Sequence, residues 1–252
     1  MATPVPKDKP AAKAVGRSID DFKAAYDKSF IVPRKIKEAL AKLGDGWLRE
    51  LDFAKLAGVN PNDLAAFRAG FARLAPLGLS FDAWLFFTQI GELTALARAY
   101  PETPIVLDHV GGPLGVGAYA GRRDEVFGRW AVAIRDLATC PNVCVKLGGL
   151  GMAGAGLDLH ARPEPPSSEA LAAAWRPYME TCIEAFGAAR CMFESNFPVD
   201  KGMCGYAVLW NAFKRLAAGA SATEKAALFS GTAVRAYRLD RLPPGIAPDL
   251  GA

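Results

Sequence analysis

The sequence of 252 residues has few histidines, few cysteines and no long apolar run. Its two histidines, His109 and His160, are too few for a three-histidine catalytic zinc site. Its five cysteines include no CxxC pair, which favours reduced thiols. No apolar stretch approaches the roughly 20 residues that span a bilayer, and the first residues lack the apolar core of a secretory signal. These absences predict a cytoplasmic protein with no membrane partner.

The formal charge of +4 is concentrated near the N-terminus. The first 60 residues hold 12 Lys and Arg against 8 Asp and Glu, and the remainder is balanced. Residues 1–17, rich in Pro, Ala and Lys, predict a flexible tail. The pattern of residues 18–68 predicts a basic helical segment. Residues 240–252, which follow Tyr237 and contain a Pro-Pro pair, are expected to form a C-terminal tail. This asymmetry suggests two parts with different partners.

One stretch of the basic segment resembles a DNA-binding motif. DFAKLAGVNPNDLAAFR (52–68) is similar to the helix-turn-helix of bacterial repressors, whose second helix enters the major groove. Asp63 would stand at the exposed start of that helix, where its charge opposes DNA phosphate. We therefore expect weak or no nucleic-acid binding, and the alternative is an ordinary helix pair with a glycine turn.

From Gly78 onward, short β-rich runs alternate with helical runs. Parallel strands need crossover helices, so four strand–helix units in a row predict an α/β fold with a parallel sheet. The loops after the strands are long, and such loops usually carry the chemistry of parallel-sheet folds. The predicted strands are 79–86, 104–109, 142–148 and 190–195; the predicted helices are 89–100, 123–137, 168–186, 204–217 and 222–237.

Four motifs in this part occur in the same order as in a known family: TPIVLDHVGGPLG (103–115), NVCVKLGGLGM (142–152), RCMFESNFPVDK (190–201) and KAALFSGTAVRAYRL (225–239). Residues 69–239 thereby resemble the amidohydrolase-2 family of TIM-barrel hydrolases, which includes lactonases and decarboxylases. Since a complete barrel needs eight strands in about 200–250 residues, the resemblance implies a half or incomplete TIM-like barrel preceded by the helical segment. Its open sheet edges would need cover, for example in a homo-oligomer.

The resemblance also implies site residues. His109, in LDHVGG, matches an inner histidine of the family. Metal-bearing members carry a first-strand His-x-His, which this sequence lacks. Phe87 stands where they have another histidine, and Asn196 stands where they have an aspartate. Members of the family bind divalent metals such as zinc, but His109 alone cannot hold one. The expectation is therefore a metal-independent protein without a cofactor.

Strand alternation suggests how these groups face one another. Ile105, Leu107 and His109 would share one face, and if that face is the barrel interior, His109 reaches the site. Lys146 and Glu194 each lie two residues before a strand end, so we expect an ion pair within about 4 Å. His109, Glu194 and Asn196 are the catalytic candidates, and Lys146 and Asp200 are the substrate-binding candidates. The alternatives are a core histidine, a structural ion pair and, for Asp200, a loop cap.

The sequence hypothesis is an amidohydrolase-family hydrolase acting on a small carbonyl substrate, most plausibly a lactone or related ester. Water would attack the carbonyl, a basic group would take its proton, and polar donors would hold the oxyanion. Because most metal-ligand positions are missing, we expect slow or absent catalysis. The alternative is a chimeric or truncated chain, in which a DNA-binding or interaction module precedes an inactive barrel remnant.

Overall fold

The structure of the protein is a computed structural model, and it describes residues 64–157, 159 and 163–239. The predicted tails, most of the basic segment with its helix-turn-helix hypothesis, and His160 lie outside these residues. The helices are α1 (Leu64–Phe71), α2 (Ile90–Ala99), α3 (Arg123–Ala138), α4 (Ser168–Phe186), α5 (Tyr206–Leu216), α6 (Ala222–Ala226) and α7 (Thr232–Tyr237); the strands are β1 (Phe81–Ala83), β2 (Ile105–Leu107), β3 (Val143–Leu147) and β4 (Cys191–Phe193).

The four described strands form one parallel sheet in the order β1-β2-β3-β4. This confirms the predicted α/β fold and the parallel pairing of all four strands. Four strands are half the number of a complete TIM-type barrel. Strands β1 and β4 are the outer strands of the sheet among the described residues, as the hypothesis of open edges requires.

The two faces of the sheet differ in burial. One face carries Ala83, Leu107 and Val145 in register, and these belong to a single apolar core that includes the buried residues of α2, α3, α4 and α5. The opposite face carries Asp82, which is exposed, and Lys146, which is half-buried. Helices therefore cover one face, and the second face is the one that would line the interior of a barrel.

The amino ends of the strands are tied by polar side chains. The Asn142 amide nitrogen donates to the backbone carbonyls of Ala97, Tyr100 and Thr103. Arg190 donates to the carbonyls of Ala138 and Cys140, each at 2.9 Å. These contacts satisfy backbone carbonyls at the amino ends of the strands. The long loops lie at the carboxyl ends.

Several predicted bounds are too long. The strand predicted over 79–86 spans only Phe81–Ala83, and the one predicted over 104–109 ends at Leu107. The second ends early because the residues that follow adopt left-handed backbone angles. The helix predicted over 222–237 is three segments, since a π-helical turn at Ala227–Gly231 separates α6 from α7. The helix predicted over 168–186 has the bounds of α4.

None of the helices within the described residues is both long enough and apolar enough to cross a bilayer.

Candidate functional site

The candidate site lies at the carboxyl end of the sheet, in the loops after β2, β3 and β4. His109 follows β2, the LGGLG stretch follows β3, and Glu194, Asn196 and Asp200 follow β4. Parallel strands bring their carboxyl ends to the same edge, so residues far apart in sequence meet there. The structure joins His109 to Glu194 and Asn196 to Asp200, and it places Lys146 in a separate cluster.

The backbone around His109 is unusual. His109 and Val110 have φ angles of 54° and 49°, and Gly111 and Gly112 continue in the same left-handed region. Left-handed angles are rare for residues other than glycine, and for a β-branched residue such as Val110 they are a genuine outlier. The Trp130 indole nitrogen donates to the Val110 carbonyl at 2.7 Å and helps to hold this turn. Backbone strain of this kind occurs at functional sites.

The turn overturns the predicted strand alternation. Ile105 and Leu107 belong to the helix-covered core, not to the barrel-lining face. His109 does not share their face, because β2 has ended and the left-handed turn redirects its side chain. The prediction that His109 reaches the carboxyl end of the sheet is correct, but the reasoning through strand register is wrong.

Glu194 holds His109 at two points. One carboxylate oxygen, Oε1, lies 2.5 Å from His109 Nδ1 and accepts the His109 backbone N–H at 3.2 Å. The two side chains are only 17% and 16% exposed. Burial lowers the pKa of His109, but the hydrogen bond and charge of Glu194 outweigh it, so the net pKa is raised. Glu194 occupies Nδ1, and no side chain or backbone group among the described residues bonds to Nε2, so Nε2 is the ring atom available for proton transfer.

Glycines after β3 make room for these side chains. A Cβ on Gly149, whose φ is 70°, would lie 2.5 Å from the Cβ and Cγ of His109. A Cβ on Gly148 would collide with Glu194, and one on Gly151 would lie 2.7 Å from Cγ of Asp200. Three glycines of one motif therefore each accommodate one ionisable group. The role of these glycines was not predicted from the sequence, although a Gly-Gly-x-Gly run directly after a strand was the available signal.

Asn196 and Asp200 form the second pair. The Asn196 amide nitrogen donates to Asp200 Oδ1 at 2.9 Å, and the Asp200 backbone N–H donates to the Asn196 carbonyl at 3.0 Å. Asp200 is 1% exposed, and burial raises its pKa to about 7 despite the hydrogen bond from Asn196 and the charge of His109. Its second oxygen, Oδ2, is buried and has no hydrogen-bond partner among the described residues. Asp200 thus bonds within its own loop, as the alternative of a loop cap proposed, and the Gly151 backbone N–H is close enough to lower the pKa that burial raises.

Lys146 does not pair with Glu194, and that prediction is wrong. The β3–β4 register places Lys146 opposite Met192, while the Glu194 N–H donates to the Leu147 carbonyl one level further along. The Lys146 ammonium instead lies 2.7 Å from Asp108 Oδ1 and 2.9 Å from Asp82 Oδ2. Its substrate-binding role stays a prediction.

The Lys146 cluster is tied to the end of the described chain. The Tyr237 hydroxyl donates to Asp82 at 2.7 Å, and the Tyr237 ring lies 5.4 Å from the Lys146 ammonium. Burial disfavours the charged Lys146, but the hydrogen bonds of Asp108, Tyr237 and Asp82 raise its pKa overall. Asp108 was not among the predicted site residues, and the structure gives it this ion pair. The cluster links β1, β2, β3 and α7.

The donor set does not fit a catalytic zinc, which typically takes three protein ligands and a water. Phe87, in place of a histidine of the metal-bearing members, is 3% exposed and contacts the Tyr119 ring at 5.2 Å. Within 64–157, 159 and 163–239, no three His, Cys, Asp or Glu side chains are grouped to hold a metal ion. The chemistry proposed below therefore uses protein side chains alone, and the predicted absence of a metal stays a prediction.

The chain is similar to several known proteins. It is 40% identical over 172 residues to the uncharacterized protein y4mH of Sinorhizobium fredii, covering 68% of this chain and 51% of that one. It is 32% identical over 182 residues to an L-fucono-1,5-lactonase of Burkholderia multivorans, covering 70% and 57%. The chain thus spans about half the length of the curated relatives it matches.

Solved structures agree with this result. A crystal structure of a Burkholderia multivorans amidohydrolase with bound HEPES matches with a TM-score of 0.61 and 31% identity, covering 72% of this chain and 59% of that one. A second crystal form, with bound zinc, matches with a TM-score of 0.60 and 30% identity over the same shares. The family profile for amidohydrolases matches residues 32–239, beginning inside the predicted basic segment. The chain belongs to the amidohydrolase family.

Proposed function

We propose that this amidohydrolase hydrolyses a lactone or a closely related ester. The observation that carries the proposal is the His109–Glu194 pair, in which one buried carboxylate oxygen holds both the ring and the backbone of the histidine. A carboxylate on Nδ1 fixes the ring tautomer and stabilises the imidazolium that forms when Nε2 takes a proton. The relatives named L-fucono-1,5-lactonase support a cyclic ester as the substrate class.

The reaction needs one proton acceptor and one proton donor. Nε2 of neutral His109 takes a proton from water, and the water oxygen bonds to the ester carbonyl carbon. The tetrahedral intermediate then collapses, the ring C–O bond breaks, and the proton on Nε2 passes to the leaving alkoxide. The product is one hydroxy acid, and His109 is neutral again. In this scheme Glu194 orients the ring and takes no proton from the substrate or the water.

The pKa of His109 sets the pH dependence of this reaction. Hydrolysis requires neutral His109. Burial lowers the pKa of His109, but its hydrogen bond to Glu194 and the charge of Glu194 raise the pKa above the ordinary 6.5. The acid limb of kcat/KM in the free enzyme therefore lies above pH 6.5. Activity rises as pH increases through this value and reaches a plateau above it.

Hydrolysis of L-fucono-1,5-lactone and of an unsubstituted δ-lactone by the full chain tests the proposal. A pH-indicator assay would follow acid release by the wild type, His109→Gln and Glu194→Gln. General acid–base groups contribute roughly 10²–10⁴-fold, so each variant should lose activity on that order. Glu180→Gln is the matched control, since Glu180 is an exposed glutamate paired with Arg176 on α4. Equal rates in the wild type and His109→Gln, or no hydrolysis by any form, would refute the proposal.

A further inference from the structure

Asp200 differs in burial from the other acidic residues. It is the only Asp or Glu that is almost fully buried among the described residues, at 1% exposure. It is held by two hydrogen bonds to the same partner: its backbone N–H donates to the Asn196 carbonyl, and its Oδ1 accepts from the Asn196 amide. Gly151 closes the space beside it, because a Cβ there would lie 2.8 Å from Oδ2. Both the position and the orientation of this carboxylate are therefore fixed.

A fixed carboxylate determines which way an amide group faces. An ionised carboxylate only accepts hydrogen bonds, whereas an amide has a donor end and an acceptor end. When it is ionised, Asp200 therefore selects the Asn196 orientation seen in the structure, in which the NH₂ group faces the carboxylate and the amide oxygen faces elsewhere. In the part of the chain that the structure describes, no hydrogen bond uses that Asn196 oxygen. It is thus available to accept a hydrogen bond from a bound molecule.

Asn196 is placed to contact whatever binds beside His109. It lies two residues after Glu194, in the same loop after β4, and its φ of 49° turns the chain at this point. The two pairs flank the same loop after β3, since a Cβ on Gly149 would meet His109 and a Cβ on Gly151, two residues later, would meet Asp200. The amide oxygen of Asn196 therefore belongs to the same site as the proposed base.

We infer that Asp200 is a positioning residue, which orients the Asn196 amide so that its oxygen accepts a hydrogen bond from a hydroxyl group of the substrate. The inference rests on the proposed lactone hydrolysis and specifies its recognition: hydroxylated lactones are preferred to unsubstituted ones. A site built to bond a hydroxyl discriminates against the analogue that lacks it, because its own polar group is left unpaired. We expect a preference in kcat/KM of about tenfold to a hundredfold from this one contact.

The test compares D-glucono-1,5-lactone with δ-valerolactone, two six-membered lactones with and without hydroxyls. The full chain is assayed as wild type, Asn196→Gly, Asp200→Asn and the double variant. Glycine is used at position 196 because it tolerates the positive φ. Asp136→Asn is the control, since Asp136 is an exposed aspartate paired with Arg98. Circular dichroism verifies the fold of each variant.

Asn196→Gly should abolish the preference, mainly by raising KM for the hydroxylated lactone. Asp200→Asn should reduce the preference about tenfold, and it should have no further effect in the Asn196→Gly background. Equal losses on both lactones, or a loss that persists in that background, would overturn the inference. If Asp200→Asn does not fold, the Asn196→Gly variant tests the inference by itself. An unchanged preference for the hydroxylated lactone in that variant also overturns the inference.

Failure of the proposed function is a separate outcome. If the wild type hydrolyses neither lactone, the hydrolase proposal is refuted, and calorimetric binding of the two lactones tests the recognition. Tighter binding of the hydroxylated lactone, lost in Asn196→Gly, would support the inference. Equal affinity of the wild type for both, or no binding of either, would overturn it.

Discussion

Gly149 lies directly against the imidazole of His109, and a Cβ at this glycine would sit 2.5 Å from the Cβ and Cγ of the histidine. The φ of Gly149 is 70°, a conformation that side chains other than glycine rarely adopt. The loop after β3 is thus shaped around a residue that lies 40 positions earlier in the chain. Packing between these two loops, rather than local sequence preference, fixes the histidine.

We expect Gly149→Ala to destabilise the protein by about 2–4 kcal/mol, because it combines a strained φ with overpacking. Urea unfolding measures this loss. Gly128→Ala is the control: Gly128 lies on the exposed side of α3, and nothing lies within 4 Å of a Cβ there. Alanine in a helix interior should raise stability by about 0.5–1 kcal/mol. A Gly149→Ala protein as stable as the wild type would contradict the described packing.

Glu194→Gln should lower the pKa of His109. Glu194 supplies the hydrogen bond and charge that raise this pKa, and burial, which lowers it, remains in the variant. NMR titration of the imidazole resonances measures the change, and His160 is an internal reference because the sequence has two histidines. In the wild type the stabilisation from this pair is fully present below pH 6.5 and is lost as pH rises through the raised pKa. An unchanged His109 titration in the variant would contradict the 2.5 Å contact.

The sequence predicted the strands, the helices and the parallel order of the sheet better than the contacts between charged side chains. Four strand–helix units and their parallel order follow from hydrophobic patterning, which is local. The Lys146–Glu194 pair was predicted by counting back two residues from each expected strand end. It failed because the register sets Lys146 opposite Met192, which places Glu194 two residues further along β4 and beyond its end at Phe193. The partners of Lys146 are Asp82 on β1 and Asp108 directly after β2, and only the observed register reveals them.

The site was predictable in its residues but not in its geometry. The resemblance singled out His109 and Asn196, strand position added Glu194, and all three follow strands at one edge of the sheet. The left-handed turn at His109 could not be foreseen, because Val110 is a residue type that rarely adopts it. It is fixed by long-range contacts, namely the Glu194 carboxylate and the Trp130 indole.

The stability of the Asp200→Asn variant relative to the wild type should be higher at alkaline pH than at acidic pH. Burial raises the Asp200 pKa to about 7, far above its ordinary 3.8. The folded wild type is therefore penalised when Asp200 is ionised, and its stability rises as pH falls from about 7 towards 4. Asparagine carries no charge and removes this dependence. Thermal unfolding at pH 5 and pH 8.5 measures it, and an identical difference in Tm at both pH values would contradict the burial of this carboxylate.

Lys146→Met should destabilise the protein by about 2 kcal/mol, between the values for exposed and buried ion pairs. The substitution leaves Asp108, which is 15% exposed, without its cation, and it removes the charge that Asp82 and Tyr237 surround. Urea unfolding compares it with Lys214→Met, a matched change on the exposed surface of α5. Equal effects of the two variants would show that the Lys146 cluster adds nothing to stability.

The purified full chain should carry well under one equivalent of zinc or manganese. A catalytic zinc needs three protein ligands. Of the groups near His109, the Glu194 oxygen Oε1 already accepts two hydrogen bonds, Asn196 offers only a neutral amide, and Phe87 offers no donor. Among the described residues, Asp200 is not grouped with His109 and Glu194 so that the three could hold an ion. Elemental analysis after purification without chelators measures the metal content, and hydrolysis with and without EDTA should proceed at the same rate. About one equivalent per chain, lost in His109→Ala but kept in His160→Ala, would show that further ligands come from outside the described residues.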